Sequence, residues 1–169
     1  MRTDPPTTGL ELAQLTAFLD LQRETVLLKS EGLSAEQLAR PHPPSSLTLG
    51  GLLNHLALVE DSWFRVRFAG LPDDAPWAGI DWDADPDYEF RTAADLSPDE
   101  LRQRYRETCA RSRAVVAAAP SLDQLSAQKR RSGEHFDLRW VLLHLIEETA
   151  RHAGHADLLR EAIDGTVGE

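Results

Sequence analysis

The chain has 169 residues, of which 41% are hydrophobic and 27% charged, and a formal net charge of −10. That is long enough for one domain with a sizeable core, and too acidic for a broad nucleic-acid or anionic-membrane footprint. One cysteine, Cys109, excludes an internal disulfide and fits a reducing compartment. The N-terminal Met1-Arg-Thr-Asp-Pro-Pro-Thr-Thr8 lacks the apolar stretch of a signal peptide, and no apolar run is long enough to cross a bilayer. The expectation is a cytoplasmic protein of one domain over 1–169, with residues 1–8 a loose tail and neither nucleic acid nor membrane among its partners.

From Gly9 to Lys29, Leu12, Leu15, Phe18, Leu19 and Val26 recur at helical spacing and predict a first long helix. Ser34-Ala-Glu-Gln37 reads as a short helical turn with a capping box, after which Pro41, Pro43 and Pro44 forbid regular helix. Ser46 or Thr48 can cap a second long helix that runs to about Phe68. Its Gly50-Gly51 pair is costly inside a helix and implies close approach of another backbone. On this helix His55 shares a stripe with Leu52, Val59, Ser62 and Val66.

Residues 70–96 form a long connection in which Trp77, Trp82, Tyr88 and Phe90 alternate with aspartates 73, 74, 81, 83, 85 and 87. So many aromatics predict that it folds back over the bundle, as a cover or as a lid. Ser97-Pro98-Asp99-Glu100 is a strong helix start, and the third long helix should reach about Ala118. Residues 119–136 connect to the last helix and carry the basic cluster Lys129-Arg130-Arg131, read as solvated charge or as a carboxylate or phosphate contact. No strand-like alternation, repeat or linker interrupts the pattern. The fold class predicted is all-α, a four-helix bundle with long connections.

The last helix runs from its cap Asp137 to Gly165, which sits where a left-handed terminating residue belongs. At about 100° per residue, Val141, Leu145, Leu159 and Ile163 fall on one narrow stripe. Glu148 and His152 lie at its centre, one turn apart, with His155 near its edge. Burying a carboxylate and an imidazole is costly unless they are paired or bound to metal, and the i, i+4 spacing lets one helix offer two ligands to one ion. Two readings compete. In one, His55, Glu148 and His152 hold a divalent ion with a coordination position left open. In the other, Glu148 and His152 are a buried hydrogen-bonded pair and His55 is an unrelated core histidine.

His155 is read as a fourth ligand, a substrate contact or a supporting group, and His144 as polar lining or surface. Cys109 reads as a buried, inert thiol. Arg151, Asp157 and Arg160 flank the motif, either as a pocket-rim anion site or as ordinary ion pairs. No His-Glu-x-x-His sequence occurs, which argues against a standard metallopeptidase.

The stretch Leu138-Arg-Trp-Val-Leu-Leu-His-Leu-Ile-Glu-Glu-Thr-Ala-Arg-His-Ala-Gly-His-Ala-Asp-Leu-Leu-Arg-Glu-Ala-Ile-Asp-Gly165 closely resembles the signature of the mini-circle-protein family, within the DinB/YfiT-like superfamily of metal-binding four-helix bundles. The segment Asn54-His55 to Trp63-Phe64 is similar to that family's second-helix motif. The resemblance implies an up-down-down-up bundle with a zinc- or nickel-type ion on His55, Glu148 and His152, and a homodimer. Many members have histidine where this chain has Glu148, and the variant with glutamate looks like the mycothiol-dependent maleylpyruvate isomerases, whose additional C-terminal domain is missing here. What the resemblance implies about function is activation of a low-molecular-weight thiol, such as mycothiol, for S-transfer or isomerisation. Arg151 and Arg160 would then be cofactor-binding and His155 a proton shuttle. The alternative is a non-catalytic metal-binding stress-response or interaction module.

Overall fold

The expected start signals set the helices. In the computed structural model, which describes residues 2–168, α1 spans Glu11–Ser30, α2 Ala35–Leu38, α3 Leu49–Glu60, α4 Tyr88–Thr92, α5 Pro98–Ala118 and α6 Leu138–Asp164. Ser34 and Ser97 each complete a capping box, Thr48 accepts from the Gly51 amide, and Asp137 accepts from that of Trp140. Gly165 closes α6 at φ 77°, a left-handed conformation that glycine adopts without strain. Among the described residues no strand forms, only one isolated antiparallel bridge between Leu125 and Asp137. The all-α class holds.

The second long helix departs from expectation in its last third. After Glu60 it continues to Phe68 as π-helix. The hydrophobic spacing could not show this, because over two turns a stripe repeating every fourth residue fits either winding. Phe64 and Phe68 still point into the core, while Ser62, Trp63 and Val66 are only partly covered.

α1 packs chiefly against α6, and α3 against α5. Leu19, Val26, Leu52, Leu56, Tyr105, Leu142 and Leu145 are fully or almost fully buried at these junctions. Leu12 and Phe18 of the expected α1 stripe remain 39% and 45% exposed, so α1 turns a narrower face inward than its spacing suggested. A bidentate ion pair crosses the core, with Arg23 Nε and Nη2 donating to the Glu60 carboxylate at 2.6 Å each.

Both glycines of the Gly50-Gly51 pair are needed for close approach. A Cβ on Gly50 would stand 3.2 Å from the Leu38 carbonyl oxygen, and one on Gly51 3.0 Å from the Phe90 ring. The 70–96 connection does fold back: Trp77 is buried, and α4 packs on α3. The second connection is fastened to the end of the π-helical segment by the Ala127 amide on the Phe68 carbonyl and the Gln128 amide on that of Arg67. Among the described residues no helix is long and apolar enough to cross a membrane.

Candidate metal centre

α3 and α6 bring His55, Glu148 and His152 together, with one potential ligand atom from each lying within 4.8 Å of the others. Glu148 Oε1 stands 3.6 Å from His55 Nε2 and 3.4 Å from His152 Nε2. Metal bonds of about 2.0–2.2 Å in a tetrahedron separate neighbouring donors by about 3.3–3.6 Å. These spacings fit a shared ion better than they fit direct hydrogen bonds, which are shorter.

The centre of the buried stripe lies elsewhere than the sequence reading put it. Thr149 and Ala156 are fully buried, with Leu145 and Leu159 above and below them, whereas the side chains of Glu148 and His152 are 18% and 12% exposed. At 100° per residue, His144, Glu148, His152 and His155 form a second stripe on the flank of the buried arc. The spacing of Val141, Leu145, Leu159 and Ile163 alone could not locate the centre, because Thr149, Ala153 and Ala156 were not counted as apolar. This shift leaves the carboxylate and the imidazoles partly exposed rather than sealed in the core.

One residue at the site escaped the sequence reading. Glu89, in α4, accepts a hydrogen bond at 2.9 Å from His55 Nδ1, which fixes the tautomer and turns Nε2 toward Glu148 and His152. Glu89 is itself seated by Asn54, whose side-chain amide donates to the Glu89 carbonyl at 2.6 Å and accepts from Arg104 at 2.7 Å. Phe90 stacks on the His55 ring at 4.8 Å. Nothing in the pattern of the 70–96 segment separates Glu89 from its many acidic neighbours. Only the fold-back selects it.

The charges are strongly coupled. Burial works against the imidazolium of His55, but the nearby carboxylates of Glu148 and Glu89 outweigh it and push the pKa up to about 9. Glu148 is held far below the usual carboxylate range by the adjacent His152 and then by His55. One carboxylate between two imidazoles, with a second behind His55, is a donor set that suits a divalent cation.

Residues 14–165 match the family described as mycothiol-S-transferase. The chain belongs to that family. The DinB-like kinship expected from the helix motifs holds with it. Among solved structures, the crystal structure of the mycothiol-dependent maleylpyruvate isomerase matches with a TM-score of 0.63 at 15% identity, over 86% of this chain and 60% of that one. The likeness is one of fold, and the chain spans well under two thirds of that isomerase. No curated protein matches.

In this mycothiol-S-transferase-family chain the remaining expected site residues separate. His155 Nδ1 lies 3.3 Å from His152 Nδ1, the ring nitrogen turned away from Glu148. His155 therefore stands behind His152 much as Glu89 stands behind His55. Burial, then the neighbouring His152, lowers its pKa below the ordinary histidine value. His144 stacks on Trp140 at 4.9 Å and meets Trp63 edge-on at 4.5 Å, so it sits in an aromatic cluster one turn before Glu148.

Arg151 pairs with Glu147 and lies 3.7 Å from Glu148 Oε2. Arg160 sits two turns beyond His152, where it donates to the carbonyls of Lys29 and Glu31 at 3.0 and 2.8 Å and pairs with Asp164. Its donors are spent on the end of α1. Asp157 pairs with Lys29 at 2.7 Å. Cys109 is buried in the core, and burial followed by the nearby Glu60 carboxylate pushes its thiol well above the ordinary range. It is not among the residues at the triad.

Proposed function

We propose that the protein is a divalent-metal-dependent enzyme that binds a low-molecular-weight thiol of the mycothiol type and activates it for S-transfer or isomerisation. The observation that carries this reading is the triad His55, Glu148, His152, with donor separations suited to one ion and with side chains 12–20% exposed. Membership of the mycothiol-S-transferase family supports the choice of thiol. Three protein donors leave a position for an exogenous ligand, the arrangement of catalytic rather than structural sites. A zinc- or nickel-type ion held there supplies the positive charge that lowers a thiol's pKa and keeps its sulfur nucleophilic at neutral pH.

The chain's own residues do the rest. Glu89 and His155 hold the rings of His55 and His152 from behind, so that both Nε2 atoms face the thiol position. His155, partly exposed and of lowered pKa, is the proposed acceptor of the thiol proton. The sulfur electron pair then forms the new bond to the electrophilic carbon of the acceptor; in transfer that carbon's bond to its leaving group breaks and the leaving group takes the proton, and in isomerisation the carbon–sulfur bond breaks again after rearrangement and the proton returns to the released thiolate. Phe90 shields one face of His55 from water. Homodimer formation and a cytoplasmic location belong to the same reading, the first checked by sedimentation of the purified protein.

Elemental analysis tests the site. About one equivalent of divalent metal is expected in the wild type and none in a His55→Ala/His152→Ala variant. Consumption of mycothiol against electrophilic acceptors should require the loaded protein. Failure of the wild type to retain metal after incubation with zinc and with nickel overturns the reading, and Glu148 and His152 are then a polar pair in a non-catalytic module.

A further inference from the structure

A cleft of about 490 Å³ is lined by Val59, Ser62, Trp63, Arg67, Asp73 and Trp82, among others. Val59 lies one turn after His55 on α3. Trp63, also on the lining, packs on Trp140 at 5.2 Å, and His144 lies against both indoles. His144 precedes Glu148 by one turn of α6. Two guanidinium groups sit on the indoles, Arg67 at 4.5 Å from the Trp63 ring and Arg130 at 4.8 Å from that of Trp140.

Arg23, Arg65, Arg91, Arg102, Arg111, Arg113, Arg139, Arg151 and Arg160 each lie within ion-pair distance of a carboxylate; among the described residues Arg67, Arg130 and Arg131 do not, and neither do Arg40, Arg104 and Arg106. Asp73 lines the same cleft without pairing with them, and Glu147 is taken by Arg151. Burial, then Arg131 and Arg130, depress the pKa of Arg67, as expected of a cation held near like charges with no anion to offset them. Each guanidinium lies over an indole ring, and with no carboxylate within ion-pair distance its N–H groups stay available to an oxyanion.

We propose that Arg67 and Arg130, seated on Trp63 and Trp140, form a subsite for a carboxylate or phosphate group carried by the electrophilic acceptor. The subsite rests on the functional reading above only for the identity of the molecule that bears the anion. Arg131 adds charge at the rim. An acceptor anchored by its anion here lies next to His144, one turn of α6 before Glu148.

Metal-free protein titrated with succinate and, separately, with inorganic phosphate tests the subsite without coordination to an ion, read by calorimetry and by tryptophan fluorescence. Saturable binding of at least one anion is expected, weakened roughly tenfold or more in Arg67→Gln/Arg130→Gln. The same binding should persist in His152→Ala, so a failure of metal retention sinks the enzyme reading and leaves this result standing. No saturable binding of either anion, or equal affinity in the double glutamine variant with unchanged circular dichroism, overturns the proposal. In turnover, the KM of a carboxylate-bearing acceptor should rise in the variant while that of its methyl ester does not. A rise confined to the thiol's KM overturns the assignment to the acceptor.

Discussion

At the scale of single residues, the orientation of His55 is decided by a side chain 34 positions away. Its Nδ1 is occupied by Glu89, so only Nε2 is presented to Glu148 and His152. Outer hydrogen bonds of this kind are worth about 10–100-fold in metal affinity. Glu89→Gln should weaken zinc binding by that factor, measured by competition with a chromophoric chelator, while thermal unfolding of the metal-free protein changes little. A variant with unaltered zinc affinity would show that stacking on Phe90 alone orients the ring. Glu148 and His152 were legible in the sequence because their spacing on one helix is a local property. Glu89 was not, because nothing local distinguishes it from the other acids of its segment.

At the scale of elements, the N-terminal turns of α3 are built for contact. Gly51 donates its amide to Thr48, and an added Cβ would stand 2.9 Å from that same hydroxyl oxygen as well as 3.0 Å from Phe90. Gly51→Ala therefore gains helix propensity but must displace both the cap and the ring that stacks on His55. Overpacking of this kind costs about 1–3 kcal/mol, seen as a lower unfolding midpoint in urea. Zinc affinity should fall as well, because α4 carries both Phe90 and Glu89. An unchanged midpoint would mean that α4 moves aside freely. The Gly-Gly pair announced close approach in the sequence, but which backbone and which ring approach it depends on the 70–96 fold-back.

At the scale of the whole molecule, the buried pair Arg23–Glu60 joins α1 to α3 through the core. Burial opposes the charge on Arg23, but Glu60 more than restores it. Arg23→Leu leaves the Glu60 carboxylate buried with no guanidinium beside it and should cost about 3–5 kcal/mol. The double replacement Arg23→Leu/Glu60→Leu should recover most of that loss, since an apolar pair of similar volume needs no desolvation of charge. A double variant as unstable as the single one would mean that Asp20, which also accepts from Arg23, holds the network together.

The sequence by itself determined the starts of the long helices and the end of α6, because caps, prolines and terminating glycines act within a few residues. It also determined the pairing of Glu148 with His152, because i, i+4 spacing on one helix needs no knowledge of neighbours. Tertiary structure alone decided that these side chains lie on the flank of the buried arc, that Glu89 stands behind His55, and that Arg67 and Arg130 meet on one pair of stacked indoles. Those three facts each depend on how far one helix is rotated against another and on where a long connection lands. Rotation and landing are fixed by the packing of the whole core, to which every element contributes and which no local run of residues contains.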